Sequence, residues 1–286
     1  MGELISKSID EAAGKLMNPT AENAGKTFGD IWYLVFGGIS FVADKRKIKY
    51  QVALEAFEKS CREKIKAIPE EKIVEPDTQT ASIALEESKF CIENAELREM
   101  FSNLIASTMN SDTAEIAHPS FPQILKQLSA FDARLFLSLR DAHSEKAICE
   151  YRVVVGNNSF YTLQSNIYID NLYEDQTDEP RIKKQALSIS LLERLGLVEI
   201  DYAHSFIDKS RYKRFEKTKF YREYQSYLQK NERLSLVQGI LSLTDLGEQL
   251  LAVCCPVNII HVTSADLSTK VTQEGEEETR EKTGNT

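Results

Sequence analysis

The chain has 286 residues, 42% of them hydrophobic and 28% charged, and carries a formal net charge of −9. That apolar share excludes wholesale disorder and supports a sizeable core, and the length suggests about two domains. The acidic balance argues against a general coat for nucleic acid but leaves room for a local basic patch.

Residues 3–17 place Ile5, Ile9, Ala12 and Leu16 at steps of four, three and four, which predicts an amphipathic helix. The charges scattered among them argue against a signal peptide. From Thr20, a capping residue after Pro19, the spacing predicts a second helix as far as Ala67, broken or bent at Gly37-Gly38. Within it, residues 31–43 form an uncharged run of 13. A spanning helix needs about 20 apolar residues, so buried core is the plain reading of this run. The sharper reading is a conditional membrane or partner segment carried by Ile31, Trp32, Leu34, Phe36 and Phe41, with Lys45, Arg46, Lys47 and Lys49 as its basic flank. Both stay open.

A third helical stretch holds Ile83, Leu85, Phe90, Ile92, Leu97, Met100, Phe101, Leu104 and Met109, and Asn110-Ser111-Asp112 stops it. The first 117 residues contain 14 Lys and Arg against 20 Asp and Glu and almost no strand-like alternation, so they predict a helical domain.

The pattern changes after Pro119. Residues 121–128 and 132–142 predict two short helices, the second capped by Ser129. Residues 151–155, 160–161 and 167–169 predict strands, with Gly156-Asn157-Asn158-Ser159 as a turn. Residues 181–195 return to helix and stop at Gly196. A strand over 197–202, a long polar and aromatic insert over 203–233, a strand over 234–243 and a helix capped by Thr244 complete the pattern. The expected architecture is mainly α, of α+β class. A helical domain at 1–117 precedes a winged-helix-like domain with a small β component at 118–262, and 263–286 form a disordered acidic tail.

The insert is the most distinctive local chemistry. Between Phe206 and Arg233 lie nine bases and four acids, interleaved with six aromatic rings. Lys209, Arg211, Lys213, Arg214, Lys217, Lys219 and Arg222 are candidate nucleic-acid contacts, since bases with aromatics suit phosphate neutralisation and base stacking. The plainer reading is a helical arm whose rings pack on the domain while its lysines face water.

No catalytic motif stands out, and no catalytic residue, metal ligand or cofactor is assigned. The row Glu86, Glu93, Glu96 and Glu99, with His118, has a spacing that a carboxylate metal site or hydrolase would need. The solvated face of an amphipathic helix has the same spacing. Cys61, Cys91, Cys149, Cys254 and Cys255 are odd in number and contain no C-x-x-C pair. A disulfide framework is therefore not expected, and a reducing cytoplasm is.

One long stretch is familiar. ENAELREMFSNLIASTMNSDTAEIAHPSFPQILKQLSAFDARLF, residues 93–136, with NPTAENAGKTFGD upstream and LLERLGLVEI and LSLTDLGEQL downstream, resembles the abortive-infection alpha (Abi-alpha) family. The resemblance covers roughly residues 15–256; the insert and residues 149–170 are its least familiar parts. It implies a bacterial cytoplasmic protein of anti-phage defence; together with the apolar run at 31–43 it leads to the expectation of a non-enzymatic protein that senses or interacts through its C-terminal domain and acts through its N-terminal helices. The expected partners are phage or host proteins, with nucleic acid suggested by the basic insert, conditional membrane contact by residues 31–43 and self-association by the apolar first helix and the long second one. The alternative is a nucleic-acid-binding winged-helix module or regulator.

Overall fold

The computed structural model describes residues 19–38, 45–140, 145–156, 159–169 and 177–255. The helix expected at 3–17, Phe41 and the acidic tail lie outside them. The described chain is α+β, mostly helical with one four-stranded antiparallel sheet.

The long helix expected to break at Gly37-Gly38 is found as α1 (Pro19–Phe36), which ends in a turn at those glycines, and α2 (Lys45–Lys66). The third stretch also divides, into α3 (Thr78–Ser88) and α4 (Ala95–Ser107). Each has its own cap: the Asp77 carboxylate accepts from the Thr80 N–H at 2.8 Å, and the Asn94 side chain accepts from the Leu97 N–H at 3.1 Å. A side-chain acceptor satisfies an amide that the first helical turn leaves orphaned, so Asn94 starts a new helix where apolar spacing alone continued the old one.

Helix α5 (Phe121–Lys126) and α6 (Ala130–Ser138) follow. Ser129 and Asp132 form a reciprocal capping box at the start of α6. Strands β1 (Lys146–Val155) and β2 (Ser159–Ile167) are longer than expected, and Tyr168 and Ile169 fall outside β2. Helix α7 (Glu179–Arg194) ends where the Leu197 N–H reaches back to the Leu192 carbonyl at 2.9 Å. That closure needs the left-handed backbone of Gly196, at φ +73°. Strand β3 (Val198–Asp201), short helices α8 (Lys213–Glu216) and α9 (Lys219–Tyr227), strand β4 (Glu232–Leu243) and helix α10 (Asp245–Cys254) complete the order.

The sheet runs β2-β1-β4-β3. Its side chains alternate between two cores, as the two-residue period of a strand requires. Ile148, Val198 and Leu241 enter the main core, which extends from Ala24 on α1 to Cys255. Cys149 and Tyr151 face a second, smaller core with Tyr212, Phe215 and Phe220.

Helix α4 lies at the centre of the main core, packed against α2, α3, α5, α6 and α10. Thr244 caps α10 by accepting from the Gly247 N–H at 3.1 Å, and Gly247 sits against the backbone of Leu197. A Cβ at Gly247 would lie 2.1 Å from the Leu197 carbonyl oxygen, whereas one at Gly38 meets nothing within 4 Å. Gly247→Ala is therefore expected to destabilise the fold by about 1–3 kcal/mol in urea unfolding. Gly38→Ala should stay within about 0.5 kcal/mol of the parent.

Candidate basic interaction surface

The insert folds as an arm over the second face of the sheet: a 3-10 turn (Lys209–Tyr212) followed by α8 and α9. Its aromatic residues hold it down. Tyr212, Phe215 and Phe220 are buried, and each such ring contributes about 1.5–3 kcal/mol of burial. Their polar neighbours fix the register. The buried Tyr151 hydroxyl of β1 donates to the Phe215 carbonyl at 2.7 Å and lies 2.9 Å from the Thr218 hydroxyl. Burial pushes that phenol's pKa far up, so it keeps its proton and its donor role. The Tyr212 hydroxyl donates to the Gly239 carbonyl at 2.9 Å and accepts from the Phe206 N–H at 3.1 Å. Thr218 caps α9 through the Tyr221 N–H.

The bases are left outside. Lys209, Arg211, Lys213, Lys217, Lys219 and Arg222 are exposed, and Arg214 is half-buried. The Arg211 guanidinium stacks 4.1 Å from the centre of the Phe206 ring, and Lys219 is 3.7 Å from Glu223 one turn on. An exposed pair of that kind contributes little, so Lys219 remains available to a stronger anion. The arrangement is a cationic surface on an aromatic anchor, without a stacking platform in Tyr212, Phe215 or Phe220.

The arm also reaches α7. The Phe220 N–H donates to the Thr177 carbonyl and the Lys219 N–H to the Thr177 hydroxyl, both at 3.0 Å. This brings the start of α9 beside the start of α7, a juxtaposition of residues about 40 apart that spacing along the chain could not reveal.

The apolar run of α1 is divided. Ile31, Trp32 and Phe36 are buried, whereas Leu34 is 81% exposed. Trp32 packs on Phe28, Phe36 and, across on α2, Phe57, at ring separations of 5.8, 4.5 and 5.6 Å. Among the described residues no helix is long and apolar enough to cross a membrane.

The glutamate row does not converge. Glu93 pairs with Lys49 of α2 at 2.8 Å, Glu96 with Arg134 of α6, and Glu99 with Lys64 of α2. Hydrogen bonds from its own amide and from Arg134 lower the Glu96 pKa. His118 turns instead to Ser120, 2.8 Å away. Among the described residues no three His, Cys, Asp or Glu groups stand together as a metal site. All five cysteines are free thiols and buried, and burial pushes Cys255 up to about 11, far from a reactive thiolate.

Fold and surface together define an α+β protein whose sheet is covered by a cationic arm. A model of the abortive infection alpha family matches residues 49–254, and the chain belongs to that family. No curated protein matches it. One solved structure, described as an uncharacterized protein from the hydrocarbon-degrading marine bacterium Alcanivorax borkumensis SK2, is similar at 21% identity and a TM-score of 0.28. That likeness covers 50% of this chain and 94% of that one.

Tyr151→Phe removes a buried hydroxyl whose partners, the Phe215 carbonyl and the Thr218 hydroxyl, still bond to each other, so it should cost about 0.5–1.5 kcal/mol. Trypsin should then cut the arm after Lys213, Lys217 or Lys219 faster than in the parent, while α4 stays protected.

Proposed function

We propose that the protein is a bacterial, cytoplasmic anti-phage defence factor of abortive-infection type that works by binding rather than catalysis. The observation that carries this reading is the family match over residues 49–254. Cells expressing the chain should form fewer plaques and, at high phage dose, collapse as a culture. Unchanged plaque numbers across a broad phage panel would remove the reading.

In this proposal the C-terminal half senses a phage or host product, and α1 with α2 delivers the effect. Opening that pair separates Trp32 and Phe36 from Phe57, at about 1.5–3 kcal/mol for each ring exposed. The triggering partner must favour the open state by at least that difference. Deleting the apolar run would destroy the core along with any effector role. The informative substitutions are at Tyr33 and Leu34, 67% and 81% exposed. Tyr33→Ser with Leu34→Ser should leave the melting temperature within a few degrees and weaken protection. Full protection from the folded double variant would end the effector role of α1.

A second reading is a nucleic-acid-binding, winged-helix-like module. It is favoured by α7 running into the antiparallel pair β3–β4 (Val198 opposite Leu243), with α10 closing behind it. The exposure of the arm's bases supports the same reading.

A further inference from the structure

We infer that α7 and the arm form one composite site for double-stranded DNA, with α7 entering the major groove and the arm contacting the backbone. The inference rests on the second reading above and adds to it a recognition element, Lys183, Lys184 and Leu187, and a choice of nucleic acid.

The first half of α7 has a sharply divided surface. Ile182, Gln185, Ala186, Ser188 and Ile189 are buried, while Lys183, Lys184 and Leu187 are exposed, Leu187 by 72%. Leu187 is a large apolar side chain facing water between cations, which suits an apolar contact such as a thymine methyl. Lys184 and Arg181 both sit over the Phe131 ring of α6, at 4.4 and 4.7 Å from its centre. Of the two, Lys184 is the exposed one, and Arg181 is partly buried. Lys183 pairs with Glu179 one turn earlier, at 2.6 Å, with both side chains about half exposed.

The arm continues this surface. Both hydrogen bonds to Thr177 set the start of α9 beside the start of α7, and Lys217, Lys219 and Arg222 near that junction are exposed. The start of α7 also carries Asp178 and Glu179, so the cations offered to a polyanion are Lys183 and Lys184 one turn further on and those of the arm.

The choice of a duplex follows from the rings. Proteins that take single strands stack successive bases on aromatic side chains. Here Tyr212, Phe215 and Phe220 are committed to the second core, and on α9 only Tyr227, at its last position, is exposed. The choice of DNA follows from the helix. The major groove of B-form DNA admits an α-helix, whereas that of duplex RNA is too deep and narrow. In helix-turn-helix readers the base contacts come from the N-terminal part of the recognition helix, where Lys183, Lys184 and Leu187 lie on α7.

The test is fluorescence anisotropy of the full chain with a DNA duplex of about two helical turns, the matching single strand and the matching RNA duplex, each at rising salt. Lys183→Glu with Lys184→Glu, and separately Lys217→Glu with Lys219→Glu, should each weaken duplex DNA binding by roughly tenfold or more and flatten the salt slope by about 2. Lys59→Glu, on exposed α2, should leave binding unchanged. All these side chains are exposed, so melting temperatures should match the parent and exclude misfolding as the cause. If the parent chain binds no nucleic acid at low salt, the second reading and this inference fall together. If only the arm variant loses binding, or if the single strand or RNA duplex binds as tightly as DNA, the composite duplex site is overturned while nucleic-acid binding stands.

Discussion

Everything else in the molecule leans on helix α4. From Met100 to Met109 only Asn103 is not fully buried, and five other helices pack around it. A helix so enclosed cannot leave polar groups of its neighbours unanswered. The last carbonyls of α10 have no partner within their own helix. Ser107 and Asn103 of α4 donate to the Val253 and Cys254 carbonyls, both at 2.8 Å. One helix therefore both centres the N-terminal core and caps the helix that closes the C-terminal half. The glutamates at the wet end of α4 fasten it outward to α2 and α6, though exposed pairs of that kind contribute little to stability.

The sheet sets the second constraint. An antiparallel sheet may leave one face to water, and then its strands alternate apolar and polar residues. Here both faces carry apolar side chains, Ile148 on one side and Cys149 and Tyr151 on the other, so both must be covered. The helices cover one and the arm the other. The arm's rings are thus consumed by folding and its cations turned to solvent. Its chemistry toward a partner is electrostatic for that reason.

Local chemistry made much of this legible in the amino-acid sequence. Ser129 and Thr244 announced the starts of α6 and α10, and Gly196 the end of α7, because each cap is decided within three or four residues. The division of α3 from α4 was hidden, since Phe90, Ile92 and Leu97 kept an apolar rhythm across the break and only the Asn94 cap marks it. The spacing of the glutamate row suits a single helix face as well as a metal site. Glu86 pairs with nearby Lys89, while Glu93 and Glu99 answer to bases on α2 and Glu96 to one on α6, a tertiary fact invisible in spacing. The bases of the arm were plain in the sequence, but their proximity to Lys183 and Lys184 depends on the contact between Thr177 and the start of α9.

The seat of α10 on α4 also bears on how the chain is made. Leu250, Leu251, Val253 and Cys254 fill the same core as Trp32 and Phe57. A ribosome extends the chain from its N-terminus at about 5–20 residues per second, and a domain folds as a unit once its contacts can form. The N-terminal helices therefore emerge with an open groove and wait for residues about 150 positions later to fill it. Until then, the apolar wall of α4 is a surface for chaperones.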